Sequence, residues 1–175
     1  MRALRVQAGG LTKTGNGTLV LKGSNVSSGN SGVIVGAGTV QLDSDTAIGS
    51  GFIQFSGTSA LKYGTGVTVD VSGNFVTSAA GAKATVDTSA NNVTFANALQ
   101  GLTDFTKSGT GTLTLRAANT FSGNATVSEG TLQLGKAGDT APTDGYYLTA
   151  STISVNSTLD AQVDNALGTN PSSTL

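Results

Sequence analysis

The 175-residue chain has no cysteine, no histidine and no tryptophan, and only two prolines. Lacking cysteine, it can build neither a disulfide framework nor a thiolate metal site, although this leaves its compartment open. Lacking histidine, it is without the commonest general base, and the usual His-containing hydrolase triads are excluded. Charge is scarce as well: 11% of residues are charged and the net charge is −1, with nine basic residues spread thinly. That leaves no electrostatic footprint for nucleic acid or an anionic membrane surface. No stretch reaches the apolar length of a transmembrane helix.

What the chain has in quantity is glycine, 25 residues of it, together with serine, threonine and asparagine. Low charge with modest apolar content raises the question of disorder. The apolar residues answer it by falling into short runs of period two, which a disordered chain does not need. Leu19 and Leu21, Val40 and Leu42, Ile53 and Phe55, Val69 and Val71, Leu113 and Leu115, and Leu132 and Leu134 point to one face. Thr18, Val20, Gln41, Gln54, Thr112, Thr114 and Gln133 point to the other. The chain reads as folded and all-β. Candidate strands are 18–22, 32–35, 39–42, 52–55, 67–71, 92–95, 112–116, 125–127, 131–134 and 152–155, separated by Gly, Ser, Asn and Asp clusters. The Ala-rich stretch 78–84 comes nearest to a helix, but Gly81 interrupts it and it has no amphipathic repeat. Residues 135–147, with Gly138, Pro142 and Gly145, read as a loop insertion.

One phrase occurs twice. Lys13-Thr14-Gly15-Asn16-Gly17-Thr18-Leu19-Val20-Leu21 returns 94 positions on as Lys107-Ser108-Gly109-Thr110-Gly111-Thr112-Leu113-Thr114-Leu115. Each copy runs on to an asparagine, Asn25 or Asn119, then to a polar join and a second phrase. The second phrases are Ile34-Val35-Gly36-Ala37-Gly38-Thr39-Val40-Gln41-Leu42 and Thr126-Val127-Ser128-Glu129-Gly130-Thr131-Leu132-Gln133-Leu134. Their offset is 92, so the join is two residues longer in the first copy. Length drift in a polar join between intact apolar phrases is the mark of a repeat architecture.

Many short strands with Gly-rich turns suit either a sandwich or a parallel β-solenoid. Internal repetition, turns with almost no proline, and a shortage of large aromatics favour the solenoid, whose narrow interior is filled by stacked Leu, Val and Ile. At roughly 20–25 residues per coil and about 4.8 Å between strands, the expected rod is about 35–40 Å long.

These phrases resemble the autotransporter-associated β-strand repeat, also called the passenger-associated transport repeat, over about 11–43 and 84–136. Residues 84–95 resemble the segment that commonly precedes the repeat, and Asp164-Asn165-Ala166-Leu167-Gly168 the one that commonly follows it. The repeat copies are placed at about 11–43 and 102–136 of a single solenoid segment, 1–175. The resemblance implies a right-handed parallel β-helix in the secreted passenger of a Gram-negative autotransporter or a related large surface protein. In that family the repeat is associated with efficient passage across the outer membrane. Residues 1–8 lack the apolar core of a signal peptide, and no C-terminal translocator barrel pattern is present. The expectation is therefore a fragment of a longer exported chain, found at the cell surface or outside it and not itself inserting into a membrane.

The search for chemistry yields no catalytic, cofactor-binding or metal-binding residue. Neither a G-x-S-x-G nor a P-loop motif is present. The Gly-x-Gly pieces at 15/17, 36/38 and 109/111 lack the strand–helix setting of a dinucleotide loop and read as turns. Asp70 with Asp87, or Asp160 with Asp164, are candidate paired acids of a sugar-cleaving β-helix, but lack the basic and aromatic partners such clefts use. Asp43-Ser44-Asp45 reads as a turn rather than a calcium site. Lys13 and Lys107 read as lysines snorkelling over a coil edge. Tyr146-Tyr147 is the best candidate for an exposed contact, against a packing role. A Thr-x-Thr ice-binding column is discounted, because Thr112/Thr114 answers to Thr18/Val20 in the other copy. Asn124-Ala125-Thr126 is expected by chance in so Asn- and Thr-rich a chain.

The expectation from sequence is a non-enzymatic, presentational solenoid without cofactor. Its partners would be neighbouring coils of a longer chain, and a host or matrix surface or further copies of itself. The alternatives are a carbohydrate-active β-helix (lyase, glycosidase or tailspike-like) and a self-associating adhesin.

Overall fold

The structure is a computed structural model describing residues 5–6, 10–27, 31–139, 147–162 and 166–167. Its strands are β1 (Arg5–Val6), β2 (Leu11–Lys13), β3 (Thr18–Leu21), β4 (Val26–Ser27), β5 (Gly32–Val35) and β6 (Gly38–Leu42). There follow β7 (Phe52–Phe55), β8 (Thr58–Tyr63), β9 (Lys83–Asp87), β10 (Val93–Phe95), β11 (Asp104–Ser108) and β12 (Thr112–Leu115). The last are β13 (Asn119–Thr120), β14 (Asn124–Val127), β15 (Thr131–Leu134), β16 (Leu148–Thr149), β17 (Thr152–Val155) and β18 (Thr158–Ala161). Every pairing is parallel, and the strands wind into a β-solenoid of about six turns.

Three sheets carry most of the stack. A long sheet runs β3-β6-β8-β9-β11-β14-β17. Beside it in the first coils lies β2-β5-β7, and beside it in the last coils lies β10-β12-β15-β18. The period-two pattern fixes which side of each strand faces inward. One column of the long sheet is Leu19, Val40, Leu61, Val86, Lys107, Val127 and Val155, buried from Val40 to Val127 and exposed at Val155. Its coil steps are 21, 21, 25, 21, 20 and 28 residues. Seven strands at about 4.8 Å make a sheet of roughly 29 Å. The longer expected rod counted all 175 residues, whereas this sheet spans residues 18–155.

Inward Val40, Leu42, Leu61, Val86, Leu113, Leu115, Leu132 and Leu134 are all fully buried. The few aromatics are concentrated in this interior. Phe55, Phe75 and Phe95 form a ladder with centroids 5.8 and 5.4 Å apart, and Phe105 stacks on Phe121 at 5.0 Å.

One expected strand is absent. Residues 67–71 alternate like a strand but form no ladder, because Asp45 Oδ1 accepts the Thr68 and Val69 amides at 3.0 and 3.1 Å. Residues 78–84 form no helix; a single 3₁₀ turn at Ser72–Asn74 precedes them.

Candidate functional site: the lysine corners

The two copies of the repeated phrase do not occupy equivalent places. The first turns the corner from β2 into β3, and the second turns the next corner round, from β11 into β12. Lys13 stacks under Val35 and Phe55 in the short first sheet, whereas Lys107 lies in the long-sheet column that begins at Leu19. Lys107 is 88 residues beyond Leu19 but 94 beyond Lys13. The six-residue excess over four coils is close to one face of a three-sided coil, so the second copy is rotated by one face.

Despite that rotation, both corners have the same construction. Lys13 Nζ donates to the carbonyl oxygens of Thr14, Gly15 and Ala37 at 2.8, 2.7 and 3.1 Å. Lys107 Nζ donates to those of Ser108, Gly109 and Glu129 at 2.7, 2.7 and 3.2 Å. In each case two acceptors belong to the lysine's own turn and the third to the turn of the following coil. A tight Gly-x-Gly corner interrupts the ladder and leaves carbonyls needing donors, and an ammonium supplies three. The corners also stack: Gly38 at φ 67° and Gly130 at φ 64° sit where a Cβ would strike the carbonyls of Gly15 and Gly17, or of Gly109 and Gly111.

For Lys107 this corrects the expectation of a snorkelling side chain, while Lys13 is half-buried. Lys107 is 0% exposed, so its charged head, not just its stem, is buried. Burial pulls its pKa down to about 8, opposed by the nearby charges of Asp87 and Glu129.

The repeated asparagines, used at first only as sequence landmarks, are the second buried polar feature of each copy. Asn25 Nδ2 donates to the Ala47 carbonyl at 2.7 Å. Asn119 Nδ2 donates to Ala117 and Tyr147 carbonyls at 2.6 and 3.2 Å, while its Oδ1 accepts the Leu99 amide at 2.8 Å. Their recurrence 12 residues after each lysine was the signal available in the sequence.

The other candidate residues are engaged locally. Asp70 accepts the Ser72 and Ala96 amides, and Asp87 accepts the Ser89 amide and pairs with Lys62 at 3.0 Å. Asp43 faces Lys22 at 3.8 Å and Ser44 Oγ bonds Thr46, both turn roles. Asp160 accepts from Gln162. Tyr147 is buried, and Tyr146 and Asp164 lie outside the described residues. Among the described residues no group of three or more acidic side chains is placed to hold a metal, and no helix is long and apolar enough to cross a membrane.

The outer face of the long sheet carries a column that the sequence phrases conceal. Register, not repeat position, aligns Thr18, Thr39, Thr85, Thr106 and Thr126, with Ala60 breaking the run. Thr112 stacks on Thr131 and Thr158, while Thr114 stacks on Gln133, so no paired Thr-x-Thr column forms.

The fold and its corners define a repeat-built parallel β-solenoid. The chain carries the passenger-associated transport repeat, whose family model matches residues 11–42 and 105–134. It is also similar to the adhesin BmaC autotransporter of Brucella suis biovar 1 (strain 1330), 31% identical over 144 residues. That match takes in 73% of this chain, which spans 4% of the adhesin's length. No solved structure matches the chain.

Proposed function

We propose that this chain is a structural and presentational segment of a surface-exposed or secreted autotransporter passenger, serving export and adhesion-type display. The observation that carries the reading is that both matched copies of the transport repeat fold as pairs of stacked coils in one continuous solenoid. The similarity to an adhesin autotransporter points the same way. A stacked rod suits presentation, since its ladders hide the backbone and each coil adds length without needing a larger core. Export follows from the same physics. A coil buries its apolar face only when it lands on a neighbour, so folding outside the membrane draws the chain outward. Neighbouring coils of a longer chain are the proposed partners, with adhesion assigned to the assembled parent.

The test uses Leu113→Asp, which places a charge in a fully buried position of β12. Surface display of the full-length parent should fall well below that of the parent carrying Thr94→Asp, an exposed site on the neighbouring strand. Equal display of the two variants would refute the export role.

A further inference from the structure

Within each repeat copy, two buried or half-buried polar side chains reach forward. Lys13 and Asn25 lie on one coil, and their acceptors Ala37 and Ala47 lie on the next. Lys107 and Asn119 repeat the arrangement toward Glu129 and Tyr147. The donors sit at two different corners of their coil, so a pair fixes both position and rotation of one coil on the next. The acceptors are main-chain carbonyls, which makes the contact indifferent to the side chains of the second coil. That explains how the same phrase serves two different corners.

We propose that each repeat copy is a two-point register latch, in which one lysine and one asparagine lock a coil in a single register on its successor. Register needs such a device here. A parallel strand slipped by two residues keeps its apolar side inward, so burial alone penalises the slip weakly in short Thr-, Gln- and Gly-rich strands. Donors at fixed corners do penalise it, because a slip removes acceptors from a buried ammonium and a buried amide. The surface ion pairs share this polarity. Lys22–Asp43, Lys62–Asp87, Lys83–Asp104 and Arg116–Asp139 each join a cation on one coil to an acid on the next. Exposed pairs are weak and screened, so the buried donors of the latch set register more strongly, alongside hydroxyl bonds such as Ser128 Oγ to the Lys107 carbonyl at 3.0 Å.

The absence of cysteine from these 175 residues makes register directly readable in this chain. Thr114 lies opposite Gln133, and Thr131 is the partner it would meet after a two-residue slip. Disulfide formation is compared between a 114/133 cysteine pair and a 114/131 pair, in the native background and with Lys107→Met plus Asn119→Ala. The native background should favour 114/133 by roughly tenfold or more, and the latch-less background should bring the two rates together. An unchanged preference in a folded latch-less protein would overturn the proposal. If that double variant does not fold, Lys13→Met is read in the same way with cysteines at 20/41 against 20/39, the first coil pair. Retention of the native preference there counts against the latch, and its loss supports it.

Discussion

At the scale of the residue, the least expected group is Lys107, a cation inside an apolar column. Its place was legible as a repeat position, but its burial was not. A lysine ends a period-two run as naturally by leaning outward as by turning in, and only the facing carbonyls decide. The buried charge has a consequence for pH. Its folded pKa of about 8 lies below the ordinary value of 10.5, so the unfolded chain holds this proton more tightly. Stability from this group therefore rises with pH between about 8 and 10.5. Tyr63 acts in the opposite sense: burial, with Asp70 and Asp45 nearby, raises its pKa above 10.0. Its contribution is present below pH 10 and is lost as the unfolded chain ionises above it. Tyr147 is raised as well, by burial and Asp139. The urea midpoint should climb from pH 8 to about 10 and then fall, with Tyr63→Phe reducing the fall. A midpoint that declines steadily from pH 8 contradicts the assignment of Lys107.

At the scale of the element, strands with plain aliphatic alternation could be read from the sequence, whereas β8, β9 and β11 were missed; β8 turns Ser59, Leu61 and Tyr63 inward. β11 hides its alternation because its inward pair is Phe105 and Lys107, and β9 because its inward residues are Ala84 and Val86 among charges. The converse error, at 67–71, arose because a carboxylate from the preceding coil took the amides that a neighbouring strand would have used. Glycines of equal sequence rank are likewise separated by their neighbours. A Cβ added at Gly111 would strike the Asn91 main chain, whereas one added at Gly17 would meet nothing within 4 Å. Gly111→Ala should destabilise the chain by about 1–3 kcal/mol through overpacking. Gly17→Ala should be near neutral. Urea denaturation of the two variants separates them, and equal midpoints would contradict the described corner packing.

At the scale of the molecule, the repeat is not the coil. Copies 94 residues apart fall one face out of phase, so the interior columns mix residues from different repeat positions. This is why the threonine column of the long sheet was invisible in the phrases. The rod, its all-parallel pairing and its two repeat copies were legible because they rest on period and composition. The rotation was not, because it rests on four coil steps of 21, 21, 25 and 21 residues falling short of the 94-residue repeat offset, and only strand pairing reveals those steps. As a solenoid, the chain is stabilised chiefly by contacts between neighbouring coils.

The measurement that tests the central claim most directly is protease treatment of intact source cells, followed by immunoblotting with an antibody raised against 11–134. The account predicts a band much larger than this chain that is clipped from outside while cytoplasmic markers survive. A band protected until the cells are lysed would contradict it.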